Sequence, residues 1–135
     1  MTEPTYTISF WLRKIAVLVD GSENSFRALE LALDFAMRYG SQITVIHACE
    51  NCNENGIGEM ISKRVNGRAN YELKILKYSS KDSSAANEIL KYLSENTYDA
   101  VIMGARGQSI NSELNIGSVA MSVALNATTT VILVR

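Results

Sequence analysis

The chain has 135 residues, 47% of them hydrophobic, with 13 lysines and arginines against 14 aspartates and glutamates. That length suits one domain with a real core, read as residues 1–135 with an N-terminal extension over 1–12. The formal net charge of −1 comes without a basic stripe, since the closest basic pair, Lys63 and Arg64, stands alone, and this argues against nucleic-acid binding. No apolar run approaches the ~20 residues that a membrane helix needs. The first twelve residues have no signal-peptide pattern, and two cysteines are too few for a disulfide-built secreted scaffold. A cytoplasmic protein that does not engage membranes is expected.

The run Lys14–Asp20 (KIAVLVD) is continuously apolar up to its last residue, as in strands buried on both faces of a parallel sheet. Ser22 is placed to cap a helix, with Glu23 in its first turn. Leu29, Ala32, Leu33 and Ala36 then recur at helical spacing, and Gly40 supplies a stop. Gln42–His47 reads as a second strand. Residues 49–70 are rich in glycine and asparagine, and a short helix is expected only over roughly Glu59–Val65. Tyr71–Tyr78 alternates like a third strand. Ser83 or Ser84 can cap a helix whose Ala86, Ile89, Leu90 and Leu93 share a face. Ala100–Met103 is a fourth strand, and Gly117-Ser118 opens a helix running to about Asn126. Val131–Val134 closes the chain as a fifth. This alternation predicts an open, doubly wound parallel α/β sheet. In such sheets ligands bind beyond the carboxyl ends of the strands, where strand order reverses. Functional residues should therefore follow the strands, at Asp20, Ala48 and Gly104.

The fourth strand runs into Gly104-Ala105-Arg106-Gly107, and Gly117-Ser118 follows after nine further residues, giving G-x2-G-x9-G-S. A glycine just after a buried strand lets the backbone turn and approach a ligand closely. Successive amides in such a turn form an anion-binding concavity. A helix start at Gly117 and Ser118 adds amides and a dipole that favour negative charge. The Ser118 hydroxyl can donate to a phosphate oxygen or cap the helix. Neither a Walker A loop nor a G-x-G-x-x-G fingerprint occurs.

At these residues the chain resembles the universal stress protein family, in its nucleotide-binding branch. The resemblance runs from Lys14 to Arg135 and rests on Val19-Asp20-Gly21-Ser22, His47-Ala48, Asp99–Gly104 and the glycine spacing. It implies a three-layer, Rossmann-like fold of the adenine nucleotide alpha hydrolase type, with strand order 3-2-1-4-5. It further implies an adenine nucleotide, ATP or else AMP or ADP, between strands one and four, with Mg2+ arriving through the phosphates. Carried over, Leu18, Val19 and Asp20 would line the adenosine, Ala48 would meet the adenine edge and Met103 would pack on the base or ribose. Gly104, Arg106, Gly107, Gly117, Ser118 and Val119 would surround the phosphates, with Gln108 and Ser109 beside them. A homodimer through Val131, Ile132, Leu133 and Val134 is also implied. The chain departs from the family pattern in having Ser83-Ser84-Ala85 for a Gly-Asp-Pro turn, Leu18 for a frequent proline and Thr130 for another. The stretch between strands two and three is also shorter.

Other residues carry two readings each. Asp20 can bond a ribose hydroxyl, cap its own turn, or do both. His47 lies within a strand pattern and is expected to be a hydrogen-bonded structural residue. Cys49-x-x-Cys52 cannot close a four-ligand zinc site and lacks the helix start of a thioredoxin-like pair. It reads as two incidental thiols, the second reading being redox modulation of the adjacent nucleotide site. Arg106 is a phosphate partner or a solvated side chain. Phe10 and Trp11 could cover a sheet edge or a subunit contact. The sequence supplies a nucleotide cradle without an evident catalytic base, so a regulatory module in stress response is expected rather than a true enzyme. The alternatives are a dimeric interaction protein without nucleotide and a slow ATPase or other adenine-nucleotide-using enzyme.

Overall fold

The computed structural model describes residues 12–52, 54–106, 110–111 and 116–135. Its elements in chain order are β1 (Lys14–Leu18), α1 (Glu23–Tyr39), β2 (Gln42–Cys49), α2 (Glu54–Val65), β3 (Tyr71–Lys77), α3 (Ala85–Glu95) and β4 (Ala100–Gly104). Two short strands follow, β5 (Ile110–Asn111) and β6 (Ile116–Gly117), then α4 (Ser118–Asn126) and β7 (Thr130–Val134). Five strands form a parallel sheet in the order β3-β2-β1-β4-β7. This is the expected 3-2-1-4-5 arrangement, because β5 and β6 pair only with each other as an antiparallel ribbon.

The alternation of β1 divides the core into two layers. Ile15, Val17 and Val19 face one layer, with Phe26, Leu29 and Leu33 of α1 and Ile57, Ile61 and Val65 of α2. Ala16 and Leu18 face the other, with Ile89 and Leu93 of α3 and Ala120 and Val123 of α4. Because β1 is sandwiched on both faces, every position from Ile15 to Val19 is buried, which explains its unbroken apolar run. The edge strand β3 instead alternates, with Glu72 and Lys74 exposed.

Local chemistry sets the helix ends. Ser22 caps α1 by accepting from the Ser25 amide at 3.2 Å, and the Gly40 amide closes it on the Ala36 carbonyl at 2.9 Å. Of the two expected caps for α3, Ser84 is the one used, accepting from the Asn87 amide at 3.1 Å. Ser83 instead donates to the Glu88 carboxylate at 2.8 Å.

The principal departure is α2, which begins at Glu54 rather than near Glu59. Asn55, Gly56 and Gly58 are poor helix formers, so local propensity points away from a helix there. Tertiary contacts override it. Ile57, Ile61 and Val65 bury one stripe, and the Arg64 guanidinium lies over the Phe26 ring at 4.4 Å from its centre. Arg64 also pairs with Glu23 at 2.5 Å, and Lys77 with Glu54 at 2.6 Å. Just beyond the helix, Arg68 grips Glu30 of α1 with two hydrogen bonds of 2.8 and 2.7 Å.

These hydrogen bonds from Arg68 hold the Glu30 carboxyl below its ordinary range, against a smaller opposing cost of burial. A carboxyl with a depressed folded-state pKa contributes stability above its unfolded value and loses it as pH falls through the folded one. The Glu30 side chain is 48% exposed, so the contribution is small. Glu30→Gln should lower the urea midpoint slightly at pH 7, and the difference from the parent chain should shrink steadily as pH falls below the ordinary carboxylate pKa of about 4.3.

Candidate functional site

At the carboxyl end of β1 the chain makes a tight turn into α1. Gly21 has φ of 94°, a left-handed conformation that a side chain would strain. The Asp20 carboxylate accepts from the Ser22 amide at 2.9 Å, and the Asp20 amide donates to Ser25 Oγ at 3.2 Å. Ser25 Oγ in turn donates to the Ser22 carbonyl at 2.8 Å. Asp20 is therefore the cap of its own turn, and it also forms part of the wall of a cleft of about 250 Å3.

That cleft opens where β1 and β4 diverge in connection, the switch point of the sheet. Leu18, Val19 and Asp20 line it from β1 and its turn, and Ala48 from β2. Met103, Gly104 and Arg106 line it from β4, and Gly117 and Val119 from the start of α4. Ser118 is the first residue of α4, exposed and not part of the lining. Gly107, Gln108 and Ser109, like Phe10 and Trp11, lie outside the described residues.

The two ends of the glycine loop are drawn together. The Gly117 amide donates to the Ala105 carbonyl at 2.7 Å, beside the β5–β6 ribbon. The Arg106 amide is likewise engaged, donating to Asn24 Oδ1 at 2.7 Å. Amides committed in this way are not spare donors for an anion. The N-cap of α4 is Gly117, which has no side chain to offer, so of the two roles open to Ser118 capping is not the one used. The first-turn amides of Ser118, Val119 and Ala120 have no intrahelical acceptor, because a helix leaves its leading N–H groups unpaired. Among the described residues, the amides at the start of α4 are therefore better placed than those of Arg106 and Gly117 to meet an anion.

Gly104 is also explained differently from the expectation of a sharp turn. It is the last residue of β4, in strand geometry. A Cβ on it would lie 2.7 Å from Asn24 Oδ1, 2.9 Å from the Asn24 carbonyl oxygen and 3.0 Å from the Asn24 carbonyl carbon. Glycine is required because the first turn of α1 crosses the end of β4 in contact. Asn24, which nothing in the sequence singled out, exploits this approach: its Nδ2 donates to the Val134 carbonyl at 3.2 Å while Oδ1 holds Arg106.

His47 lines the cleft and takes the structural role expected of it. Its Nδ1 is 2.8 Å from the Val19 carbonyl, which can only accept, so Nδ1 carries the hydrogen and the ring is fixed. The sequence reading missed Ser25, Ile46, Tyr78, Ala85, Ile89 and Ala120 as lining residues. Tyr78 and Ala85 sit just past β3 and at the first residue of α3, and Ala120 is in the first turn of α4. The rule that ligands meet strand ends and helix starts could have found these three.

Cys49 and Cys52 correct a further expectation. They are joined in a disulfide, with Cα atoms 5.4 Å apart, and are not incidental thiols. The pair lies immediately after Ala48, at the end of β2. Among the described residues, no three His, Cys, Asp or Glu side chains are grouped to hold a metal ion, and no helix is long and apolar enough to cross a membrane.

Residues 12–135 match the Universal stress protein family, and the chain belongs to that family. It is similar to Universal stress protein MJ0531 of Methanocaldococcus jannaschii, 24% identical over 91% of this chain and 82% of that protein. Among solved structures it is similar to a universal stress protein in complex with cAMP, with a TM-score of 0.74 and 22% identity over 91% of this chain and 96% of that one. A universal stress protein from Archaeoglobus fulgidus in complex with dAMP superposes with a TM-score of 0.68 and 22% identity, over 91% and 98% of the two chains. At these identities the likeness establishes the fold.

The fit of Gly104 against Asn24 yields a test. Gly104→Ala should destabilise the chain by about 1–3 kcal/mol in urea unfolding, the ordinary cost of overpacking. Adding Asn24→Ala should not restore it, because two of the three close atoms are backbone.

Proposed function

We propose that this chain is an ATP-binding regulatory protein of the cytoplasmic stress response, holding the nucleotide in the cleft between β1 and β4. The observation that carries this reading is the convergence of Asp20, Ala48, Met103 and the start of α4 on one cleft at the switch point of the sheet. Apolar Leu18, Ile46, Ala48 and Met103 offer a surface for the base. Asp20 keeps one carboxylate oxygen on its own turn and offers the carboxylate to a ribose hydroxyl. The amides of Ser118 and Val119 and the α4 dipole receive the phosphates, with the Arg106 side chain on the same wall. Two family members of the same fold are complexed with adenine nucleotides, cAMP and dAMP, which supports the same ligand class here.

The residues present fit ATP better than they fit a resident metal. Asp20 is the one carboxylate among the described lining residues, so Mg2+ would come with the phosphates and neutralise their charge. His47 holds its Nδ1–H on the Val19 carbonyl, and Asp20 keeps a carboxylate oxygen on the Ser22 amide. The reading as a regulatory module rather than a rapid hydrolase stays with the sequence, since hydrolysis needs a positioned water and charge stabilisation as well as a base.

Mass spectrometry of the small molecules released on denaturation should detect an adenine nucleotide; purified protein that neither carries one nor binds added ATP would sink the proposal. Ser118→Glu provides a sharper check. A carboxylate at an exposed first helical position favours folding through the helix dipole, yet it repels phosphates. ATP affinity measured by calorimetry should fall roughly tenfold, about 1.4 kcal/mol, while adenosine binding changes little. Equal loss for both ligands would mean that the phosphates lie elsewhere.

We further propose that two copies pair through β7. The Val134 carbonyl accepts from the Ala105 amide at 2.7 Å, so the backbone groups of Thr130, Ile132 and Val134 face β4. Those of Val131 and Leu133 alternate outward, and Leu133 is 39% exposed. An apolar edge of this kind invites strand pairing. Leu133→Pro removes an outward amide while sparing the inner ladder. It should convert a dimer to monomers in sedimentation, and an unchanged dimer would refute the β7 interface.

A further inference from the structure

The Cys49–Cys52 disulfide stands where it can act on the base end of the cleft. Cys49 is the last residue of β2 and directly follows Ala48, a wall residue. Its carbonyl accepts from the amide of Tyr78, which lines the same cleft from the end of β3, at 3.1 Å. The next residue, Glu50, accepts through its carboxylate from the Ser80 amide at 2.9 Å. Residues 49 and 50 therefore tie the end of β2, next to Ala48, to the Tyr78–Ser80 turn. The disulfide ties this segment to Cys52, two residues before α2 begins. It closes a four-residue ring and removes backbone freedom from the segment that leaves this wall, beyond the β2–β3 ladder in which Ala48 pairs with Leu76.

Both cysteines are half-buried, and they flank Glu50 and Asn51, which are exposed. Soluble reagents thus have a route to the sulfurs. No group of side chains among the described residues offers a metal site as a competing use for them.

We propose that Cys49 and Cys52 form a thiol–disulfide switch that sets nucleotide affinity, the disulfide form binding more tightly because it pre-organises Ala48 and Tyr78. This inference rests on the nucleotide reading of the cleft. The exchanging partner is a small-molecule disulfide of the glutathione class. One cysteine thiolate attacks a sulfur of that disulfide, forming a mixed disulfide and releasing one small thiol. The second cysteine thiolate then attacks the protein sulfur of the mixed disulfide and expels the other. The protein loses two electrons and two protons, and the partner leaves as two thiols; the small thiol in excess runs the same steps backwards. Reduction leaves the fold intact and loosens residues 49–52, so the wall must be ordered when the nucleotide binds, and affinity falls.

The test uses the full chain in three forms: oxidised with glutathione disulfide, reduced with dithiothreitol, and the Cys49→Ser/Cys52→Ser variant. Alkylation followed by intact mass spectrometry counts free thiols, with none expected in the oxidised form and two in the reduced form. Calorimetric titration with ATP should show at least about fivefold weaker binding on reduction, the lower end of ordinary coupling between sites. The double variant should bind as the reduced protein does and ignore dithiothreitol. Equal affinity in the oxidised and reduced forms overturns the switch, as does tighter binding on reduction or two thiols persisting after oxidation. ATP failing to bind any form overturns the nucleotide reading and the switch with it, whatever the thiol count.

Discussion

Asn24 crosses the ends of two strands, and the ligand end of this protein depends on that crossing. Its side chain accepts from Arg106 after β4 and donates to Val134 at the end of β7, while its backbone rests against Gly104 with no room for a Cβ. Three elements distant in sequence are held at one corner by a single amide side chain. Such a site is sensitive to small changes, because a packed interior does not yield continuously. The Ser22–Ser25 cap and the Asp20 turn adjoin this contact at the first turn of α1.

The cleft is consequently a by-product of two helix starts meeting two strand ends. The start of α1 is consumed in structure: Ser22 Oγ accepts from the Ser25 amide, Ser25 Oγ accepts from the Asp20 amide and donates to the Ser22 carbonyl, and Asp20 caps the turn before the helix. The start of α4 is not consumed in the same way, since Gly117 has no capping side chain. That asymmetry is why the proposed phosphate site belongs to α4 and the proposed ribose contact to the carboxylate before α1.

The wall contributed by β2 and β3 has a different character. Ile46 packs it into the core, while its outer end adds backbone contacts from Cys49 and Glu50 to the turn after β3. β3 is an edge strand with exposed Glu72 and Lys74, so this side of the sheet has less burial to stabilise it than the β1–β4 side. A covalent tie at Cys49–Cys52 therefore has more to do here than it would in the centre of the sheet.

Much of the fold was legible in the sequence because burial on both faces leaves an unmistakable apolar run at β1 and β4, and because caps such as Ser22 and Gly40 act through neighbours in the chain. The same topology rule placed Asp20, Ala48 and Gly104 at strand ends facing one crevice. Only the tertiary structure decided what depends on contacts between distant segments. Helix α2 forms through Ile57, Ile61 and Arg64 against α1 in spite of its glycines and asparagines. Gly104 is glycine because Asn24, eighty positions earlier, lies against it. Cys49 and Cys52 differ from two incidental thiols only because the end of β2 turns them toward each other. Sequence periodicity reports which face of an element is buried; it carries no information about what arrives on that face, and these three features depend on what arrives.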